Sequence, residues 1–463
     1  MAGVVIIGGG ISGLSAAYHL AKAGIASTLI ERRTRLGGVI HTETVEGCVI
    51  EAGPDSFLSA KPAALDLIHE LGMSAEIIGS NDHLRVTYIQ RHGRLRPMPD
   101  GLMLMVPTRI LPMVTTRLLG WPTKIRMGLE CLRRPSGAAR EDRSVADFIR
   151  EHYGQEAVDY LAEPLLAGVY GGDPERLSVA SVLAMFTELE RKYGSLSRGV
   201  LAARRRMKRL EGKKPPLFQT LRGGLGSLTD ALGKAAASHM NVVTSTAEAV
   251  ERNVSGFLVR LPGGPIQADA LVLACQAYEA GGLLRPVDAE LAELLESVPY
   301  NSSVTVSLGY DRGRFDGAQN GFGFLIPKKE RQRMVACTWV GTKFPFRVPE
   351  DKVMLRCFIG GTPAEDDETL VSLIRGEVRQ IMGVNATPIF SRVSRWPRSM
   401  AQYTVGHQRR VEAIEARLKS IPGLYLAGNA YTGIGVPDCA RMGKQAAEKI
   451  TASARSPRSP RPG

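Results

Sequence analysis

No C-x-x-C pair occurs among the six cysteines (Cys48, Cys131, Cys275, Cys337, Cys357 and Cys439), and no histidine stands at a metal-binding spacing from them. A disulfide scaffold and a zinc site are excluded, and the thiols are expected to be reduced small hydrophobes in a cytoplasmic protein. The eight histidines form no H-E-x-x-H, and nucleophile-elbow and paired-acid motifs are missing too. No catalytic side chain and no metal ligand is therefore assigned, and a lone residue such as His407 is expected to be structural.

Long apolar runs are also scarce. Gly101 to Leu132 is rich in Leu, Met and Val, but Arg109, Arg117, Pro107 and Pro112 interrupt every window. A span needs about 20 apolar residues, and a central arginine costs roughly 2.5–3.5 kcal/mol on insertion scales. A helix lying on a bilayer, or the wall of an apolar pocket, fits this stretch better. The first apolar run, Val4 to Ile7, is short, lacks a basic leader and runs straight into glycines, so no signal peptide is expected.

Interleaved aromatics are missing from the basic stretches. The formal net charge is +13, much of it in Arg191 to Lys214 and in the tail 453–463. Without stacking residues these read as a solvated helix face and a disordered end, with no nucleic-acid partner.

Glycine, by contrast, is abundant. Val4 to Gly24 reads as a short apolar strand, then G-x-G-x-x-G at Gly8, Gly10 and Gly13, then an amphipathic helix. The first glycine permits the tight turn, the second lets a pyrophosphate approach the backbone, and the third lets helix and strand pack closely. The helix N-terminus then faces the phosphates, and Glu31, ending the next strand, is placed to accept from ribose hydroxyls. Gly37 and Gly38 follow closely, and Gly53, Pro54, Asp55 and Ser56 come after another strand. These added backbone contacts suit a longer cofactor, FAD.

The pattern E-x-x-x-R-x-G-G followed by E-x-G-P-D-S-F resembles the flavin amine oxidase superfamily, and within it the porphyrinogen oxidases of the bacterial HemY type. "EPLLAGVYGGDPERLSVAS", "RGGLGSLTDAL", "GFGFLIP", "FPFRVP", "FIGG", "RWPRSMAQYTVGH" and "LAGNAYTGIGVPDC" follow in the family's order. The resemblance implies an α/β (α+β) chain with a Rossmann-like FAD-binding domain of the amine oxidase type, a mainly β substrate domain and a helical insert. The FAD domain is expected at 1–59, 223–277 and 396–450, the substrate domain at 60–98 and 299–395, and the insert at 99–214. The insert is expected to touch the cytoplasmic face of a membrane.

For FAD the resemblance implies Gly8, Gly9, Gly10, Ile11, Ser12, Gly13, Glu31, Arg32, Gly37, Gly38, Val39, Gly53 to Ser56, Ala247, Trp396, Gly428, Asn429, Gly435, Val436, Pro437 and Asp438. The closing strand, Leu424 to Ala427, is expected beside the first strand, and the helix starting near Pro437 to aim its positive end at the flavin N1 and C2 carbonyl. For substrate it implies Leu325 and Phe358 flanking pyrrole rings, Thr338 beside them and Gly168 as backbone lining. Thr87 stands where relatives carry a propionate-binding arginine, and Arg85, two positions earlier on an expected strand, is the candidate replacement.

The implied reaction is oxidation of a porphyrinogen, coproporphyrinogen III or protoporphyrinogen IX, to the porphyrin of haem biosynthesis. Molecular oxygen is the implied acceptor, peroxide the by-product, and the next haem-pathway enzyme the recipient. An amine oxidase or desaturase on the same scaffold, and a non-catalytic FAD-binding partner, are the alternatives. Against the first, the strand Tyr300 to Tyr310 contains no lysine.

Overall fold

The computed structural model describes residues 3–103, 105–135, 141–207 and 215–455 of the chain. Two main sheets organise it. Short strands, the central ones apolar throughout, stack into a five-stranded sheet in the order 240–244, 27–31, 4–7, 270–273, 424–426, all pairs parallel. All four residues of the first strand are buried, as strands covered on both faces require. Helices Ile11–Lys22, Gly226–Ala236 and Val436–Arg455 share the surrounding core, in which Leu14, Leu228 and Ala440 are buried.

The closing strand is not beside the first one. Ala270–Leu273, a buried apolar strand whose successor Ala274 donates its N–H to Ile7 O at 2.8 Å, takes that slot and carries Leu424–Leu426 on its outer edge.

A second, seven-stranded sheet, which includes the two longest strands, has the order 390–401, 300–311, 352–360, 334–339, 323–325, 87–91, 94–97. It is antiparallel apart from the 323–325/87–91 pair. Two expected boundaries move. The break at 395/396 falls inside the continuous strand Phe390–Ala401, so Trp396 belongs to this sheet. Helix Ala63–Glu70 buries Ala64, Leu67 and Ile68 in the core of the parallel sheet, so that part of 60–98 packs on the other side.

Between 99 and 207 lies a helical layer with its own core, including Phe148, Tyr153, Leu161 and Phe186. Residues 208–214 of the basic stretch and 456–463 of the tail lie outside the described residues. The first three residues of the expected tail, 453–455, end the closing helix.

Candidate functional site

One cavity of about 2700 Å³ runs between the two sheets and under the helical layer. Drug-sized pockets hold roughly 300–1,000 Å³, so this one has room for a dinucleotide and a second large ligand together.

At one end stands the glycine turn. Gly8, at φ +108°, turns the chain out of the first strand while its N–H still donates to Ile30 O at 2.9 Å. A Cβ on Gly13 would lie 1.9 Å from Gly8 O, so glycine there is demanded by helix-to-strand packing. No protein atom lies within 4 Å of a Cβ built on Gly10. That bareness leaves a cradle on the cavity side that a side chain would fill. The first hydrogen bond of the helix runs from Leu14 N–H to Gly10 O at 2.9 Å, so the preceding N–H groups are open to an anion. Glu31 Oε2 accepts Gly9 N–H at 2.7 Å and Oε1 accepts Arg33 N–H at 3.0 Å, which aims the carboxylate while each oxygen keeps acceptor capacity.

Ile11, Ser12, Arg32, Gly37, Gly38, Val39, Ala247, Gly428, Asn429, Gly435, Val436 and Pro437 line the same cavity with Gly8, Gly10 and Glu31. Gly9, Gly13 and Asp438 do not. Gly9 and Gly13 serve the turn and its packing. Asp438 points back into its own turn, where Oδ2 accepts Gly435 N–H at 3.3 Å and meets Lys61 Nζ at 2.5 Å. Gly433, at φ +132°, leaves room for it, since a Cβ there would be 2.2 Å from Asp438 Cγ. The closing turn is braced by Tyr403, whose hydroxyl donates to Asn429 O at 2.9 Å and accepts Gly433 N–H at 2.8 Å. His407 stacks on that ring at 3.9 Å, and Nε2 donates to Tyr431 O at 2.9 Å. Burial lowers its pKa, keeping it a neutral structural imidazole.

The loop 52–56 is clamped from the seven-stranded sheet. Trp396 Nε1 and Thr305 Oγ1 both donate to Ala52 O, at 2.7 and 3.0 Å, and Arg356 donates to Gly53 O. Lys343 Nζ sits 2.9 Å from Asp55 Oδ2, with Arg356 Nη1 at 3.8 Å. Burial opposes the Asp55 charge, but the two cations outweigh it and hold the carboxyl well below its usual range. Behind them Arg347 and Glu51 form a buried pair at 3.1 Å. Gly53, Pro54, Asp55, Ser56, Trp396, Lys343 and Arg356 all line the cavity. Sequence reasoning missed Lys61, Lys343 and Arg356. The available signal was an arginine inside the apolar strand "VMLRCFIGG", where a charge needs a partner or a ligand.

At the other end, Phe324 and Ile326 turn into the sheet core while Leu325 faces the cavity, and Cys357 and Ile359 alternate with Phe358 in the same way. Leu325 and Phe358 are half-buried wall residues rather than core. Gly168 faces Leu325 across the gap, because a Cβ there would sit 3.1 Å from Leu325 Cδ2. Thr338 completes this wall. Arg85 lines the cavity too, but the strand begins at Thr87, and Arg85 follows a single 3-10 turn, Asp82–Leu84. Shared strand face therefore does not account for its position.

On the outside of the helical layer, Ile110, Leu111, Trp121, Ile125, Leu129 and Leu132 are exposed, Ile110 to 84%. Among the described residues no helix is long and apolar enough to cross a membrane.

Comparison with known proteins accords with this geometry. The family profile described as flavin containing amine oxidoreductase matches residues 11–451. The chain is 33% identical to a coproporphyrinogen III oxidase of Bacillus subtilis (strain 168), covering 96% of each. It is 28% identical to a chloroplastic protoporphyrinogen oxidase of Oryza sativa subsp. japonica, covering 96% of this chain and 88% of the relative. A crystal structure from Exiguobacterium sp. 255-15, assigned provisionally as a protoporphyrinogen oxidase, superposes with a TM-score of 0.86 at 30% identity over 97% of this chain and 98% of the other. The matched span and these relatives establish that the chain belongs to the flavin containing amine oxidoreductase family.

Proposed function

We propose that this protein is an FAD-dependent porphyrinogen oxidase of haem biosynthesis, acting on coproporphyrinogen III or protoporphyrinogen IX. The observation that carries this reading is the continuity of one cavity from a glycine turn to a wall that holds Leu325, Phe358, Thr338 and Gly168. Names borne by the relatives supply the substrate class.

FAD, when bound, accepts hydride from an activated C–H of the substrate. This chain's residues bind and orient. The open N–H groups after Gly10 take the pyrophosphate, and Glu31 accepts from ribose hydroxyls. The turn 435–437 and Trp396 bound the ring-binding end, where the first turn of the closing helix favours negative charge. Leu325 and Phe358 flank the macrocycle, Thr338 and Gly168 complete the slot, and Arg85 meets a propionate. Three two-electron oxidations convert porphyrinogen to porphyrin, and oxygen takes the electrons, giving one hydrogen peroxide per round. The strand Tyr300–Asp311 holds no lysine, which sets the site apart from an amine-oxidising arrangement.

The parallel-sheet region is read as the FAD domain, the seven-stranded sheet as the substrate domain and 99–207 as the insert. The exposed apolar face from Ile110 to Leu132, fringed by Arg117 and Arg126, is read as resting on the anionic cytoplasmic surface of a membrane, from which product passes to the next haem-pathway enzyme. Loss of vesicle cosedimentation in Trp121→Ser/Ile125→Ser is the expected result.

The test of the reaction is porphyrin fluorescence after mixing the flavin-loaded enzyme with anaerobically prepared coproporphyrinogen III or protoporphyrinogen IX, then admitting air. Flavin-dependent formation of porphyrin well above autoxidation is expected. No gain on either substrate would overturn the proposal.

A further inference from the structure

The basic helix Leu196–Met207 looks like a solvated face in sequence, yet Arg204 on it lines the cavity. Its surroundings are built. Segment 98–101 runs beside 85–88, since Pro97 pairs with Tyr88 and Met98 N–H donates to Thr87 O at 2.8 Å. Thr108 folds back on this segment, its N–H and Oγ1 donating to Gly101 O at 2.8 and 2.6 Å. Arg109 packs its stem over Gly101, where a Cβ would lie 2.7 Å from Arg109 Cγ, and pairs with Asp100. Arg204 Nη1 donates to Thr108 Oγ1 at 3.2 Å.

Arg85, Arg109 and Arg204 all line the cavity, and among the described residues the one carboxylate paired with any of them is that of Asp100. Among the described residues neither Arg85 nor Arg204 has an acidic partner. One edge of Arg204 is oriented by Thr108, and among the described residues no other group takes its remaining N–H groups. A guanidinium held on one edge and open on the other matches the geometry of a carboxylate.

We propose that Arg204 is a substrate-specificity residue that binds a propionate carboxylate of the porphyrinogen. The inference rests on the proposed substrate class. It converts part of the basic balance of the chain from a surface property into a recognition element, and it adds a charged group to what the helical layer contributes through Gly168.

The test is binding of coproporphyrin III and of its tetramethyl ester to the flavin-loaded enzyme, followed by fluorescence quenching, for wild type, Arg204→Gln, Arg204→Lys and Arg205→Gln. Wild type is expected to prefer the tetraacid. Arg204→Gln should weaken the tetraacid about tenfold, the effect of losing one charge-assisted hydrogen bond, and leave the ester unchanged. Arg204→Lys should fall between. Arg205, exposed and outside the cavity, controls for net charge, so Arg205→Gln should bind as wild type. KM for coproporphyrinogen III should rise in parallel, with a smaller change in kcat. Equal tetraacid affinity in wild type and Arg204→Gln, or an equal loss in Arg205→Gln, overturns the inference. Arg204-dependent binding without turnover would remove the proposed reaction and keep this site. Turnover with an Arg204-independent KM would do the reverse.

Discussion

The two ends of the cavity are made by different means. At the parallel sheet, the cavity-facing surface is mostly backbone: a glycine turn, open N–H groups at helix starts, and one carboxylate aimed by its own loop. At the seven-stranded sheet it is side chains, alternating out of strands and meeting a helix from another part of the chain. Backbone sites depend on what must be absent, namely side-chain atoms. Side-chain sites depend on partners brought from a distance. The seam between them, loop 52–56, is held by the second region but shapes the first.

The largest effect is expected at that seam. Arg347→Ala leaves Glu51 buried without its cation, and breaking such a pair costs about 3–5 kcal/mol. Thermal unfolding should show a large drop in Tm. A loss below about 1 kcal/mol, the range of ordinary surface changes, would mean that the two regions are not coupled there.

Next comes a pair of glycines that separates packing from ligand approach. Gly13→Ala drives a Cβ into Gly8 O and should destabilise even the apoprotein by about 1–3 kcal/mol. Gly10→Ala meets no protein atom, so apoprotein Tm should hold while FAD affinity falls about tenfold or more. Unchanged FAD affinity in Gly10→Ala would remove the pyrophosphate from this turn.

The smallest effect at neutral pH concerns Asp55. Its folded-state pKa is depressed by Lys343 and Arg356, so its stabilising contribution is complete above the unfolded value of about 3.9 and is lost as pH falls towards the lower folded value. Asp55→Asn should be less stable than wild type at neutral pH, with the gap closing below about pH 4. A gap independent of pH would show that charge at Asp55 is not what holds the loop.

Legibility in sequence follows the same division. Gly8, Gly10, Gly13 and Glu31 were readable because turn, helix and acid lie within one short unit whose geometry is local. Leu325 and Phe358 were readable only through family resemblance, and alternation in their strands then explains why they face the cavity. Lys61 and Lys343 were not readable, because their partners lie 377 and 288 positions away, and Arg356 was signalled only as a charge inside an apolar strand, its partner lying 303 positions away. Asp438 was assigned to the cofactor from its motif, but its carboxylate is taken up by Gly435 and Lys61. The place of the closing strand was misjudged by one position, since strand order in a parallel sheet is set by crossovers and not by any strand's own residues.

By itself, then, the amino-acid sequence determined the nucleotide turn and the strand-helix alternation around it, both properties of residues close in the chain. Only the tertiary structure decided that Ala270–Leu273 lies between the first strand and the closing strand, that Trp396, Thr305 and Arg356 converge on two carbonyls of one loop, and that Arg204 reaches the cavity. Each of these is a pairing across long chain separations, where packing and charge compensation choose the partner and local propensity carries no record of the choice.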